Sequence, residues 1–321
     1  MGRSVMPCFR RRSFLADDAD AVDDDSSAFC ASLADGLRRL EESLAKDSIS
    51  LKWSAEVMSL FKKMQVELLA VVKKSKLPIT YGAEEDWFDQ YMQETAALLD
   101  FCNVFKSAIS GFNRYCMIVD LAIQILTKDA PGLIDIGEFE FERLERATGK
   151  VLDAKAVRET LGLADTITAW GNKKDEKGIA VVMLAAKTTM LVMSLLLFSA
   201  LVSPISIDVG GAGINCSPPE LKPCLEALVS ISDKFRERFQ EADTEFGSVL
   251  FEHKVMAEAA RELKGQAVEA AGVERLKASS AELKRGVEVF EAMVDEVFGE
   301  VVRGRNEMLG VFRDGALGLG S

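Results

Sequence analysis

The sequence predicts an all-α protein, an elongated bundle of long antiparallel helices around a central, very apolar helix. Three observations predict it. Apolar residues recur at three-four spacing over two long stretches, as they do along buried helix seams. Ala, Leu, Glu, Lys and Met are plentiful, alternating β-branched runs are scarce, and the chain holds only 7 prolines and 3 tyrosines. The stretch 179–203, IAVVMLAAKTTMLVMSLLLFSALVS, is apolar all round, with Lys187 its only charge.

The elements follow in order. Residues 1–26 form a tail, expected to be disordered, with a basic cluster (Arg10, Arg11, Arg12) and then acids from Asp17 to Asp25. No apolar run follows the arginines, so no secretory signal is expected, and the acids count against a transit peptide. Met6 stands where N-myristoylation after Gly2 needs Ser or Thr. Cys8 beside the arginines is a palmitoylation candidate, against the plainer reading of a solvated tail.

A first helix is expected over 27–45 and a second over 50–76, with Val57, Phe61, Met64, Leu68 and Val71 on its stripe. Pro78 ends it. The third helix starts after Gly82. Its seam is Trp87, Tyr91, Leu98, Cys102, Phe105, Ile109, Phe112, Cys116, Val119, Ile123 and Leu126, with Gly111 a candidate bend. Residues 127–137 are a loop by Pro131 and Gly132. One or two shorter helices over 138–170 and a charged hinge at 171–178 precede the apolar segment.

The Gly-, Pro- and Ser-rich loop that follows is the strongest internal boundary. Beyond it, one helix over 219–264 and another to Arg313 are expected. The last helix carries Leu276, Leu283, Val287, Phe290, Val294, Val297, Val301 and Met308 on its seam. The expected organisation is an N-terminal helical region (27–203), a loop (204–219), a helical hairpin (220–314) and a tail (315–321).

Segment 179–203 is long enough to cross a bilayer. Its strongly apolar members include Ile179, Val182, Leu191, Leu195, Leu196, Leu197, Phe198 and Leu201. Summed, the apolar members gain about 4–7 kcal/mol on insertion, and Lys187 costs about 3 kcal/mol. Thr188, Thr189, Ser194 and Ser199 remove more, so insertion is marginal. A single bundle with this segment at its centre buries more apolar surface, and Lys187 must then meet a carboxylate or reach the surface. The expected location is intracellular and cytoplasmic with membrane association, a single span at 179–203 being the alternative.

Little catalytic chemistry is written in the chain. A net charge of −12 and a pI near 4.9 argue against nucleic acid as a main partner. The 6 cysteines form no CxxC and are expected as free thiols, with Cys102 and Cys116 in the core. His253 is the single histidine, on its helix seam, and is expected to be structural rather than part of a Ser-His or Cys-His site. No zinc-ligand cluster and no paired Glu-x-x-His is present. Gly210, Gly211 and Gly213 lack the GK[ST] that a phosphate loop needs. Glu84, Glu85, Asp86 and Asp89 suit the start of a helix, where the macrodipole favours acids. No catalytic, cofactor or metal residues are assigned.

Two stretches carry a resemblance: ISLKWSAEVMSL at 49–60 and LPITYGAEEDWFDQYMQETAALLDFCNVF at 77–105. Trp53, then Trp87, Asp89, Tyr91, Leu98, Leu99, Asp100 and Cys102, resemble the motif residues of the plant BYPASS family. The likeness in layout covers most of the chain, while the specific motifs lie within 49–126. Physically, Trp87, Tyr91 and Cys102 share one buried seam. Asp89 and Asp100 lie off it and are expected to cap or pair with a neighbouring helix.

The resemblance implies a non-enzymatic regulator of root and shoot growth, one that restrains a mobile root-derived signal through protein interactions. Some relatives in that family are linked to the exocyst through its Exo-seventy subunit, which makes a membrane-tethering adaptor one alternative. A carrier or enzyme for the mobile signal is the competing class, and it would place polar groups inside the bundle. The partner, the signal and the oligomeric state are not written in the sequence.

Overall fold

The computed structural model describes residues 16–75, 87–126, 178–201, 218–241, 249–265 and 270–318. The regular elements there are helices: α1 Ala16–Lys46, α2 Leu51–Lys74, α3 Trp87–Leu126, α4 Ile179–Leu201, α5 Lys222–Glu241, α6 Phe251–Gly265 and α7 Ala270–Gly318. No strand occurs among the described residues. The all-α expectation holds, and both seams are buried. On α3, Tyr91, Leu98, Cys102, Phe105, Ile109, Phe112, Cys116, Val119 and Ile123 are all in the core; on α7, Leu276 through Met308 are. Gly111 does not break α3, which runs through it as one helix.

α4 is the centre. It packs against α1, α2, α3 and α5, and 94% of its most apolar window is buried. Gly178 precedes it in a left-handed conformation (φ 66°), which glycine adopts without steric cost. The Gly178 carbonyl accepts from the N–H groups of Val181 and Val182, which closes the first turn.

The register of side-chain pairs gives the helix directions. α1 and α2 are antiparallel: Ser32 pairs with Glu67 and Ser43 with Glu56, so the sequence separation shrinks from 35 to 13. α3 and α7 are antiparallel too, with Asp120 against Lys284 and Thr95 against Arg305. Two further pairs run parallel. Lys62 meets Glu296 and Lys73 meets Glu307, both at a separation of 234, so α2 and α7 run side by side in one direction. Glu41 meets Lys234 and Ala45 meets Arg238, both at a separation of 193, so α1 and α5 do likewise. Parallel neighbours need long connections, and these pairs join the two ends of the chain.

The C-terminal helices pack onto the N-terminal ones as well as onto each other: α6 lies on α7, α5 on α1, and α7 on α2 and α3. The helix expected over 219–264 is two helices, with Val249 and Leu250 outside regular structure. The break is fixed by a long-range contact. The Phe251 N–H donates to the Ile49 carbonyl over 2.9 Å, so α6 starts against the α1–α2 turn. α1 begins at Ala16, not Ser27, and 16–26 is therefore helix rather than tail. An acidic run suits a helix start, since negative charge there complements the macrodipole. α7 likewise runs past Arg313 to Gly318. The 1–15 tail, the 127–137 loop, the 138–170 helices and the 204–217 part of the boundary loop lie outside the described residues.

Two close approaches set the height of α7. A Cβ on Gly286 would stand 2.9 Å from Leu51 Cδ1, and one on Gly304 would stand 2.7 Å from the Tyr91 hydroxyl. Gly304 occupies the seam position between Val301 and Met308, which leaves room for the tyrosine ring. Gly304→Val is therefore expected to destabilise the fold by about 1–3 kcal/mol through overpacking. Urea unfolding at neutral pH measures it, and an unchanged midpoint would show that α7 slides freely on α3.

Candidate functional site

The motif residues sit on α2 and α3. Ser50, extended at φ −138°, caps α2, and its hydroxyl oxygen accepts from the Trp53 N–H over 3.1 Å. Trp53 is 1% exposed. Its indole Nε1 donates to the Leu40 carbonyl on α1 over 3.3 Å, and its ring lies 5.9 Å from Phe235 on α5. One side chain thus ties three helices together. Tyr91, Leu98 and Cys102 are buried on α3, Leu99 is partly buried, and Asp89 and Asp100 are exposed. Asp89 stands in the first turn of α3, where its charge faces the helix dipole. The Trp87 side chain lies outside the described residues. Burial pushes the Tyr91 hydroxyl and the Cys102 thiol both up to about 12, so neither is a nucleophile at neutral pH.

α3 also carries a group that the periodicity passed over. Glu94 falls between Tyr91 and Leu98 on the same seam and is 8% exposed. Gln90 Nε2 donates to its Oε1 over 2.8 Å. Burial raises its pKa to about 7, against the Gln90 hydrogen bond and the positive field of Lys187 on α4. Lys187 is partly buried on α4, with its charge near enough to oppose that rise. The signal was available: an acid three residues after Tyr91 and four before Leu98 lies on the seam. Beside it, Arg305 of α7 donates to Thr95 Oγ1 over 2.7 Å and also to the Met92 carbonyl. Polar atoms at Thr189 and Ser194 of α4 and Gln65 of α2 are buried without a hydrogen-bond partner.

The apolar residues of α4, from Val182 through Leu191, Leu195, Leu196, Leu197, Phe198 and Leu201, are buried inside the bundle, and Ile179 at its first turn is partly buried. The helix is long and apolar enough to cross a membrane by length and composition. In the bundle it is packed as a core helix, and exposing it to lipid would strip α1, α2, α3 and α5 of their common partner. Alkaline carbonate extraction of membranes from expressing cells is expected to release the chain to the supernatant. Retention in the pellet, lost on deleting 179–201 from a chain that still folds, would reverse this assignment.

His253 is fully buried on α6, its ring 5.3 Å from that of Tyr115 on α3. Burial lowers its pKa to about 4, so it is neutral at physiological pH. The ring is packed in the core against Tyr115. Its neighbour Glu252 acts across the chain. Both carboxylate oxygens accept from the Leu51 N–H at 3.1 Å, which caps α2 from 201 residues away. Among the described residues no group of three or more His, Cys, Asp or Glu is arranged to hold a metal ion.

The described surface has a groove of about 520 Å³ between the C-terminal part of α1 and the N-terminal half of α2. Gly36 lets the helices approach at its floor, where an added Cβ would stand 2.5 Å from Leu60. Arg39, Lys46, Lys52 and Lys63 line it with Glu42, Asp47 and Glu56. Glu56 accepts from the Ser43 hydroxyl over 2.7 Å, which fixes one wall. The groove is polar and mixed in charge, as a contact surface for another protein would be.

The chain is similar over nearly its whole length to a plant protein. It is 19% identical over 289 residues to "Protein BPS1, chloroplastic" of Arabidopsis thaliana, a match covering 88% of this chain and 81% of that protein. A shorter stretch is 22% identical over 98 residues to "UPF0496 protein 4" of Oryza sativa subsp. indica and of subsp. japonica, covering 30% of this chain and 21% of each. No family model matches the chain, and no solved structure does. The chain is thus weakly similar to BPS1 along most of its length and has an all-α bundle fold.

Proposed function

We propose that this chain is a non-enzymatic regulator of plant root and shoot growth that restrains a mobile root-derived signal by binding other proteins. The observation that carries the reading is the likeness to BPS1 along 88% of the chain. Two features of the molecule support it. The buried titratable groups (Tyr91, Cys102, His253, Glu94) are shifted by burial and packed, not grouped for catalysis. The α1–α2 groove offers a polar surface on a rigid hairpin. The protein works inside the cell, and exocyst subunits are the partner class that the family resemblance implies.

The test is growth rescue in plants lacking the protein. The triple reversal Lys46→Glu, Lys52→Glu, Lys63→Glu is expected to abolish rescue while the circular dichroism spectrum stays unchanged. His253→Gln is expected to rescue fully. Full rescue by the triple variant together with none by a folded His253→Gln would overturn the reading. Enrichment of exocyst subunits in a pull-down, lost in the triple variant, would specify a tethering adaptor.

A carrier reading has one observation in its favour, the polar groups inside the bundle: Gln90, Glu94, Lys187, Thr189 and Ser194. It requires that a small molecule co-purify with the chain. Native mass spectrometry showing only the mass of the polypeptide would set it aside.

A further inference from the structure

Cys30 of α1 and Cys224 of α5 are each 1% exposed and meet where the two parallel helices pack. The Cys224 thiol donates to the Cys30 carbonyl over 3.1 Å. The residues are 194 positions apart, so only the fold brings them together. Cys102 and Cys116 are also free and buried. They lie about 21 Å apart along α3 by helical rise and cannot pair with each other.

The α1–α5 contact holds the two thiols in a fixed register. On the C-terminal side of the cysteines, Glu41 accepts from Lys234 Nζ and from the Ser230 hydroxyl, each over 2.7 Å, and Arg238 donates to the Ala45 carbonyl over 2.8 Å. The sequence separation stays near 193 along the pair, so the helices do not slip past one another. The cysteines face each other because both stand on the inner stripe, Cys30 beside Phe29 and Leu33, and Cys224 beside Leu225 and Leu228.

We propose that Cys30 and Cys224 are a reversible dithiol–disulfide pair, oxidised by a low-molecular-weight disulfide, that staples α1 to α5. The Cys30 thiolate attacks one sulfur of the small disulfide, and one small thiolate leaves. The Cys224 thiolate then attacks the Cys30 sulfur of the mixed disulfide and expels the second small thiolate. The chain gives up two protons and two electrons, and the small disulfide is reduced to two thiols. The contact with Cys224 holds Cys30 below the ordinary thiol value, while the contact with Cys30 and burial push Cys224 up, so Cys30 attacks first. Burial of both thiols makes the exchange wait for local opening of α1, so it is slow. Once formed, the bond closes a long loop, which restricts the unfolded chain strongly.

The experiment uses the full chain with Cys8→Ser and Cys216→Ser. It is equilibrated over a series of reduced and oxidised glutathione ratios, then alkylated, digested and analysed by mass spectrometry. A peptide linking Cys30 to Cys224 is expected to accumulate in a single transition, with Cys102 and Cys116 alkylated once the chain is unfolded. The thermal midpoint of the oxidised chain is expected to rise by about 5 °C or more. Cys30→Ser and Cys224→Ser should each lose both effects. The proposal fails if the pair stays reduced at every ratio, if glutathione stays attached to either cysteine without transfer, or if the midpoint does not move. The thiol readout is made on the chain that keeps both cysteines, so it stands even where a Ser variant folds poorly.

Discussion

Trp53→Ala is expected to lower the free energy of unfolding by about 3–5 kcal/mol. The indole is 1% exposed and fills the junction of α1, α2 and α5. Its removal leaves a cavity between three helices that cannot all close on it, and the transfer and cavity costs add. The Nε1 bond to the Leu40 carbonyl is lost as well. Trp53→Phe separates the two contributions. It keeps ring contact with Phe235 and should cost about 1–2 kcal/mol, close to one buried hydrogen bond plus a small volume loss. Urea unfolding followed by far-ultraviolet circular dichroism reads both. A loss below about 1 kcal/mol for Trp53→Ala at unchanged cooperativity would mean that the junction repacks.

The second large effect is a pair of opposed pH dependences. Glu94 has a folded pKa of about 7 against an ordinary value of 4.5. Between those values the unfolded chain releases the proton first, so the folded state binds more protons and stability falls as pH rises. The full effect is about 3 kcal/mol. His253 has a folded pKa of about 4 against 6.5. Between those values the unfolded chain binds the proton first, so stability rises with pH, again by about 3 kcal/mol. The windows overlap, and the two slopes largely cancel in the wild type.

Removing either group should expose the other. Glu94→Gln is expected to gain stability steadily from about pH 4 to 6.5, and His253→Gln to lose it from about pH 4.5 to 7. The double variant should return to the shallow wild-type profile. Unfolding midpoints across this range decide it, and equal slopes in the two single variants would show that one of the groups is not buried as described. Lys187 sets the size of the Glu94 effect. Lys187→Met removes the positive field and should push the Glu94 transition to higher pH.

The helices and their buried faces were legible in the sequence, because helical periodicity is a local property. The seams of α3 and α7 and the stripe of α2 needed nothing beyond residue spacing. Glu94 stood in plain view on one of those seams. Its position was readable, but its raised pKa comes from the helices packed over it. The start of α1 was misread because an acidic run looks like a solvated tail until it is placed at the positive end of a helix.

The sequence by itself determined an all-α chain with a central apolar helix. Tertiary structure alone decided that α1 runs parallel to α5 and α2 to α7, that Glu252 caps α2, and that Cys30 faces Cys224. Those pairings join residues about 190–235 positions apart. Spacing within a helix says which face is buried. It does not say against what, because that choice depends on how all the faces are buried together.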